Sequence, residues 1–222
     1  ADFDGFTPAP ACAPPFDDTF ADAVNGDDAN CGDSAGAAKA TIDAALAILN
    51  PGGTVFVAAG TYNIGTSTLT LDFGNSLIGA GKNVTILNGR IEALNFGTIS
   101  GVTVQNAPAL VGFPGTIGCV GSPGTAVIED VRIRDGMGLR LSNCGTGLTV
   151  RRTEVLNVVY PWAIKIDFSQ GLKVENCIMA GNSSGTIVDV RTGGPNKMTN
   201  CTVVGTGSGE EGVIGGGNMI FR

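Results

Sequence analysis

Residues 171–182 read GLKVENCIMAGN and residues 196–207 read NKMTNCTVVGTG, so an Asn-Cys pair recurs after twenty-four residues. Five segments lie on one template: TISGVTV from Thr98, VIEDVRI from Val127, TVRRTEV from Thr149, KVENCIM from Lys173 and KMTNCTV from Lys197. Their matching apolar positions are Ile99, Ile128, Val150, Val174 and Met198, at spacings of 29, 22, 24 and 24 residues. Ahead of the last four lies a second apolar strand: GCV at 118, LRL at 139, IKI at 164 and VDV at 188.

A period near twenty-four with two or three short strands per repeat is what a solenoid coil requires. Each turn carries the chain once around a core and stacks the next strand about 4.8 Å away. No single coil buries its apolar face alone, so stability comes from the pile. Composition agrees: 35 Gly, two Tyr and one Trp in 222 residues favour strands closed by many turns. One helical pattern is expected over residues 37–49, where Ile42, Ala45, Leu46 and Leu49 recur before NPGG. The expected organisation is an acidic N-terminal arm over residues 1–36 and an all-β solenoid over 37–222, capped by that helix.

The order of amphipathic helix, GGTVFVAAGTY, LIGAGKNVTILNG and degenerate coils resembles the opening of the pectate-lyase-like right-handed parallel β-helix superfamily. The resemblance covers roughly residues 37–210 and implies a single-stranded right-handed parallel β-helix. It implies no one activity, because enzymes and structural proteins share the fold.

On the template, Val102, Val131, Thr153, Cys177 and Cys201 share one inward column. Cys177 and Cys201 therefore stack in adjacent coils, either as two small hydrophobes or as a disulfide. Cys119 and Cys144 are one coil apart but out of register, a further candidate pair. Cys12 and Cys31 most simply pair with each other in the arm. Asn176 and Asn200 sit at the bend before each cysteine, where Asn tolerates the left-handed conformation, and resemble a two-rung asparagine ladder.

In the second strand set the apolar residues point inward, so Arg140, Lys165 and Asp189 stack outward, with Asp167 and Arg191 beside them. Tyr160 and Trp162, in the turn entering that strand, offer rings for stacking on sugars. By resemblance to the polysaccharide lyases of the superfamily, Asp167 and Asp189 would hold Ca²⁺ while Lys165, Arg191 or Arg140 abstracts a proton. The other reading of the same face is a ladder of cross-strand ion pairs. The chain has no His, which excludes the usual Ser and Cys triads and the histidine motif of polygalacturonase-like hydrolases.

The formal charge is −7, with eight Asp and no Lys or Arg in residues 1–33, a poor match to nucleic acid or an anionic membrane surface. No apolar run is long enough to span a bilayer. Six cysteines and a start at Ala1 lead us to expect a secreted or cell-surface protein with its export signal removed. Sequons stand at Asn83, Asn182 and Asn200. No capping helix follows the apolar Met219, Ile220 and Phe221, and Phe3 and Phe6 mark the arm as a docking segment. The expected function is a non-catalytic extracellular structural protein that self-associates through this end and the arm, with no required cofactor. The alternative is a small Ca²⁺-dependent polysaccharide lyase or another polysaccharide-acting β-helix enzyme.

Overall fold

The computed structural model describes residues 12–107, 115–121, 125–144, 147–158, 162–180, 187–205, 213–215 and 219–221. Phe3, Phe6, Tyr160 and Asn182 lie outside the described residues. The chain forms a right-handed parallel β-helix in which every strand pair among the described residues is parallel.

Sheet A contributes nine strands in chain order: Phe16–Ala21, Leu49–Val57, Asn75–Gly79, Phe96–Ser100, Val127–Glu129, Thr149–Arg151, Lys173–Glu175, Asn196–Thr199 and Met219–Phe221. Its central column runs Val55, Leu77, Ile99, Ile128, Val150, Val174, Met198 and Phe221, each in register with the next. The five template residues are thus true neighbours in space. Those from Val55 to Val174 are fully buried.

Sheet B has two halves joined by the strand Thr85–Ala93, which pairs through Ile86–Asn88 with Thr103–Gln105 and through Ile91–Ala93 with Ile117–Val120. One half continues through Arg132–Arg134, Glu154–Leu156, Ile178–Ala180 and Thr202–Val204. The other continues through Leu139–Ser142, Ile164–Ser169, Val188–Gly193 and Val213–Gly215. Each later coil therefore presents three short strands around one apolar core. In the second half, Cys119, Leu141, Ile166 and Val190 form an inward column, all 1% exposed or less.

Each coil turns its corners by placing a residue in the left-handed conformation. Between sheet A and sheet B these are Gly101, Asp130, Arg152, Asn176 and Asn200, with φ between 50° and 68°. Asn and Asp adopt this conformation more readily than other residues bearing a Cβ. Arg152 is held there by its guanidinium, which donates to Asp130 Oδ2 at 2.8 Å and to Glu129 Oε2 at 2.6 Å. Those contacts hold the Asp130 carboxyl below its ordinary range. The inward column after these corners, Val102, Val131, Thr153 and Cys177, is buried, and Cys201 is partly so.

Cys12 and Cys31 form a disulfide, with Cα atoms 5.2 Å apart. Cys119 and Cys144 meet sulfur to sulfur at 2.6 Å in the core. The Cys177–Cys201 contact is polarised: a hydrogen bond from Cys177 lowers the Cys201 thiol to about 7, while the same bond and burial push Cys177 up.

Two expectations about the N-terminal region are corrected. The helix expected over 37–49 is a single turn, Ile42–Leu46, capped by the Thr41 hydroxyl accepting from Ala44 N at 3.2 Å and preceded by a 3-10 turn at Ala35–Ala37. The residues from Leu49 onward leave the helix because they pair as a sheet A strand. Nor is the whole of 1–36 an arm, since Phe16–Ala21 is the first strand of sheet A, alongside Thr54–Val57.

The corner geometry generates a test. Asn176→Val should destabilise the protein by about 1–2 kcal/mol, because a β-branched residue is poorly tolerated in the left-handed region, while Asn176→Gly should change stability much less. Urea denaturation of the two variants measures the difference, and equal costs would refute the corner assignment.

Candidate functional site

Outward residues in the second half of sheet B form two columns. The first runs Thr70, Glu92, Gly118, Arg140, Lys165 and Asp189, each in register with the next. The second runs Val120, Ser142 and Asp167. Arg140, Lys165 and Asp189 thus stack as the sequence leads one to expect, with Asp167 alongside.

The two carboxylates are not ordinary surface groups. Asp167 and Asp189 are each only 6% exposed, although both belong to outward positions. Asp167 Oδ2 lies 3.3 Å from Lys165 Nζ and 3.8 Å from Arg140 Nε. Asp189 Oδ2 accepts from Arg191 Nε at 2.9 Å, and the Arg191 side chain is 64% exposed. Burying a carboxylate is costly unless it is paired, so these cations are what permit the acids to sit so deep. The comparison within the molecule is direct: Asp130, in an exposed corner ion pair, keeps 45% of its side chain accessible.

Lys165 is held by an aromatic neighbour, its ammonium lying 5.5 Å from the centroid of the Trp162 ring. Trp162 is itself 4% exposed, so it is covered and not an open platform for a sugar, a correction to its expected role.

Two bulges disturb the register here. Between Ile166–Val190 and Asp167–Thr192 the strand Val188–Gly193 carries one extra residue, Arg191; between Asp167–Thr192 and Ser169–Gly193 the strand Ile164–Ser169 carries one, Phe168. Bulges re-aim side chains and are over-represented beside active sites. Phe168 has φ +53° and is 63% exposed. Sequence reasoning misses it, because strict alternation assigns no special direction to a residue that a bulge takes out of phase.

The residues do not fit a Ca²⁺ site as expected by resemblance. Ca²⁺ takes about six to eight oxygen ligands, whereas these two carboxylates face Arg140, Lys165 and Arg191. Among the described residues no group of three or more His, Cys, Asp or Glu is placed to hold a metal ion. An apolar hollow of about 280 Å³ lies elsewhere, on sheet A, between Phe20, Phe56, Ile78 and Ala80. It lacks the paired acids and bases of the sheet B face.

No protein-family model matches the chain, and no similar sequence is found among characterised proteins. The fold does have solved counterparts. Two structures of the catalytic domain of a GH87 alpha-1,3-glucanase, each a substituted form in complex with nigerose, superpose with TM-scores of 0.57 and 0.58 at 16% identity, over 76% of this chain and 33% of theirs. This likeness shows the parallel β-helix fold. The chain spans about a third of the length of those proteins.

The expectation of a non-catalytic structural protein is corrected by this comparison. That expectation leaned on the lack of a familiar enzyme motif, and the same architecture forms catalytic domains in proteins whose sequence is only 16% identical. A missing motif is no argument against catalysis in such a fold.

The chain's only Trp makes this burial measurable. Trp162 fluorescence should be blue-shifted and resist quenching by acrylamide until the protein unfolds. A red-shifted, freely quenched emission from the folded protein would contradict the burial of Trp162.

Proposed function

We propose that the chain is a polysaccharide-acting enzyme, or the part of one, working at the Asp167 and Asp189 face of sheet B. The observation that carries this reading is the pair of nearly buried carboxylates on adjacent strands, surrounded by Arg140, Lys165 and Arg191. Asp189 is one strand over and two residues along from Asp167, which strand geometry makes about 8 Å between Cα atoms. Two carboxyls so placed can address one glycosidic bond, one donating a proton to the leaving oxygen and the other activating water. The basic groups orient the carboxylates and supply donors to sugar hydroxyls. The solved counterparts, catalytic domains of an alpha-1,3-glucanase, support a neutral glucan as the first substrate to try.

An extracellular setting suits this reading. The Cys12–Cys31 disulfide fits an oxidising compartment. Among the described residues no helix is long and apolar enough to cross a membrane.

The test is release of reducing ends from alpha-1,3-glucan, other glucans, polygalacturonate and alginate, with ultraviolet absorbance followed in parallel for the unsaturated product of a lyase. Hydrolysis should appear without added Ca²⁺, and Asp167→Asn and Asp189→Asn should each lower kcat by roughly 100-fold or more. Unsaturated product would replace hydrolysis with elimination. No cleavage of any glycan, or wild-type rates in both variants, would overturn the proposal.

A further inference from the structure

Phe168 occupies a position at which its neighbours in the stack carry other residues. Register places Val120, Ser142 and Asp167 side by side, so the residues that follow them, Gly121, Asn143 and Phe168, share one corner column. All three are left-handed, with φ of +72°, +51° and +53°. Gly adopts this conformation freely and Asn tolerates it, but for a bulky side chain it is a genuine outlier. The corner itself is well tied, since Asn143 N donates to Asp167 O at 3.0 Å.

Burial does not compensate this strain, because Phe168 is 63% exposed. Phe73 shares both the strain and the exposure, so these alone do not mark a ligand site, although strained residues do gather at such sites. What sets Phe168 apart is its place. Phe168 directly follows Asp167, is itself the extra residue of a bulge, and lies across from the bulge that carries Arg191. We propose that Phe168 is the sugar-stacking residue of the site, its ring covering the apolar face of a pyranose unit while Asp167 and Asp189 address the adjoining linkage. Aromatic faces are suited to this, and the role of open platform that Trp162 cannot fill falls to Phe168.

The molecule contains its own control. Phe73 is also left-handed, at φ +57°, and 67% exposed. The register of Leu71 with Ala93, and of Ala93 with Cys119, puts Phe73 in the same corner column as Phe168, four coils away. Stacked strands make that about 19 Å. A short oligosaccharide seated on Asp167 and Asp189 does not reach it.

This inference rests on the carbohydrate-facing reading of the Asp167 and Asp189 face, so binding and cleavage are measured separately. Alpha- and beta-linked gluco-oligosaccharides and oligogalacturonates of two to four units are titrated calorimetrically into protein carrying Asp189→Asn, which slows turnover. Phe168→Asn and Phe73→Asn, each added to that protein, should both raise Tm by about 2–4 °C, because Asn suits the corner. Only Phe168→Asn should weaken binding, by about threefold to tenfold, and Phe168→Tyr should keep wild-type affinity. Weakened binding in a protein whose wild-type form cleaves nothing would leave the stacking role standing and remove the enzyme. Unchanged binding by Phe168→Asn, equal loss in Phe73→Asn, or no binding of any oligosaccharide would overturn the stacking role.

Discussion

The coil-to-coil backbone ladder is the constraint from which the rest of the molecule follows. Each strand bonds to the strands one coil before and after it, so residues separated by a whole turn are held about 4.8 Å apart. Any residue type placed once per coil becomes a column. The apolar column from Val55 to Met198 is the consequence inside, and it closes the core of every coil without any coil having a core of its own. The corners are the second consequence. A chain that must turn sharply several times in about two dozen residues needs left-handed positions, and Gly, Asn and Asp fill most of them.

Outside, the same ladder turns spacing along the chain into a surface. Arg140, Lys165 and Asp189 are far apart in sequence and adjacent in space. Charges arranged this way form cross-strand ladders at the surface, and those of Arg132 with Glu154 and Arg151 with Glu129 keep a fifth or more of each side chain accessible. The face around Asp167 differs because its acids are sunk, and because two compensating bulges break the ladder where they sit. A regular solenoid surface gives every outward residue the same direction. The bulges give Arg191 and Phe168 directions of their own.

How far the sequence was legible follows from which features repeat. The positions Ile99, Ile128, Val150, Val174 and Met198 repeat visibly in the sequence, and so does the second strand set, because stacking demands repetition. The N-terminal region repeats nothing: its apolar spacing suggests a thirteen-residue helix, but pairing of Leu49–Val57 with Phe16–Ala21 and Asn75–Gly79 claims the end of that stretch for the sheet. Alternation of inward and outward residues is enough to place the charged face. Alternation could not show that Asp167 and Asp189 are buried, that Trp162 is covered, or that Phe168 is bulged outward. Departures from period carry that information, and in a single sequence they are indistinguishable from noise.

The central claim is that the second half of sheet B, at Asp167 and Asp189, is where this protein meets a glycan. A crystal structure of the Asp189→Asn protein soaked with a short gluco-oligosaccharide tests it most directly. Sugar density should lie over the strands Leu139–Ser142, Ile164–Ser169 and Val188–Gly193, with a linkage oxygen near Asp167 and one ring against Phe168. Well-ordered sugar bound instead on sheet A, between Phe20 and Phe56, with this face vacant, would contradict the account.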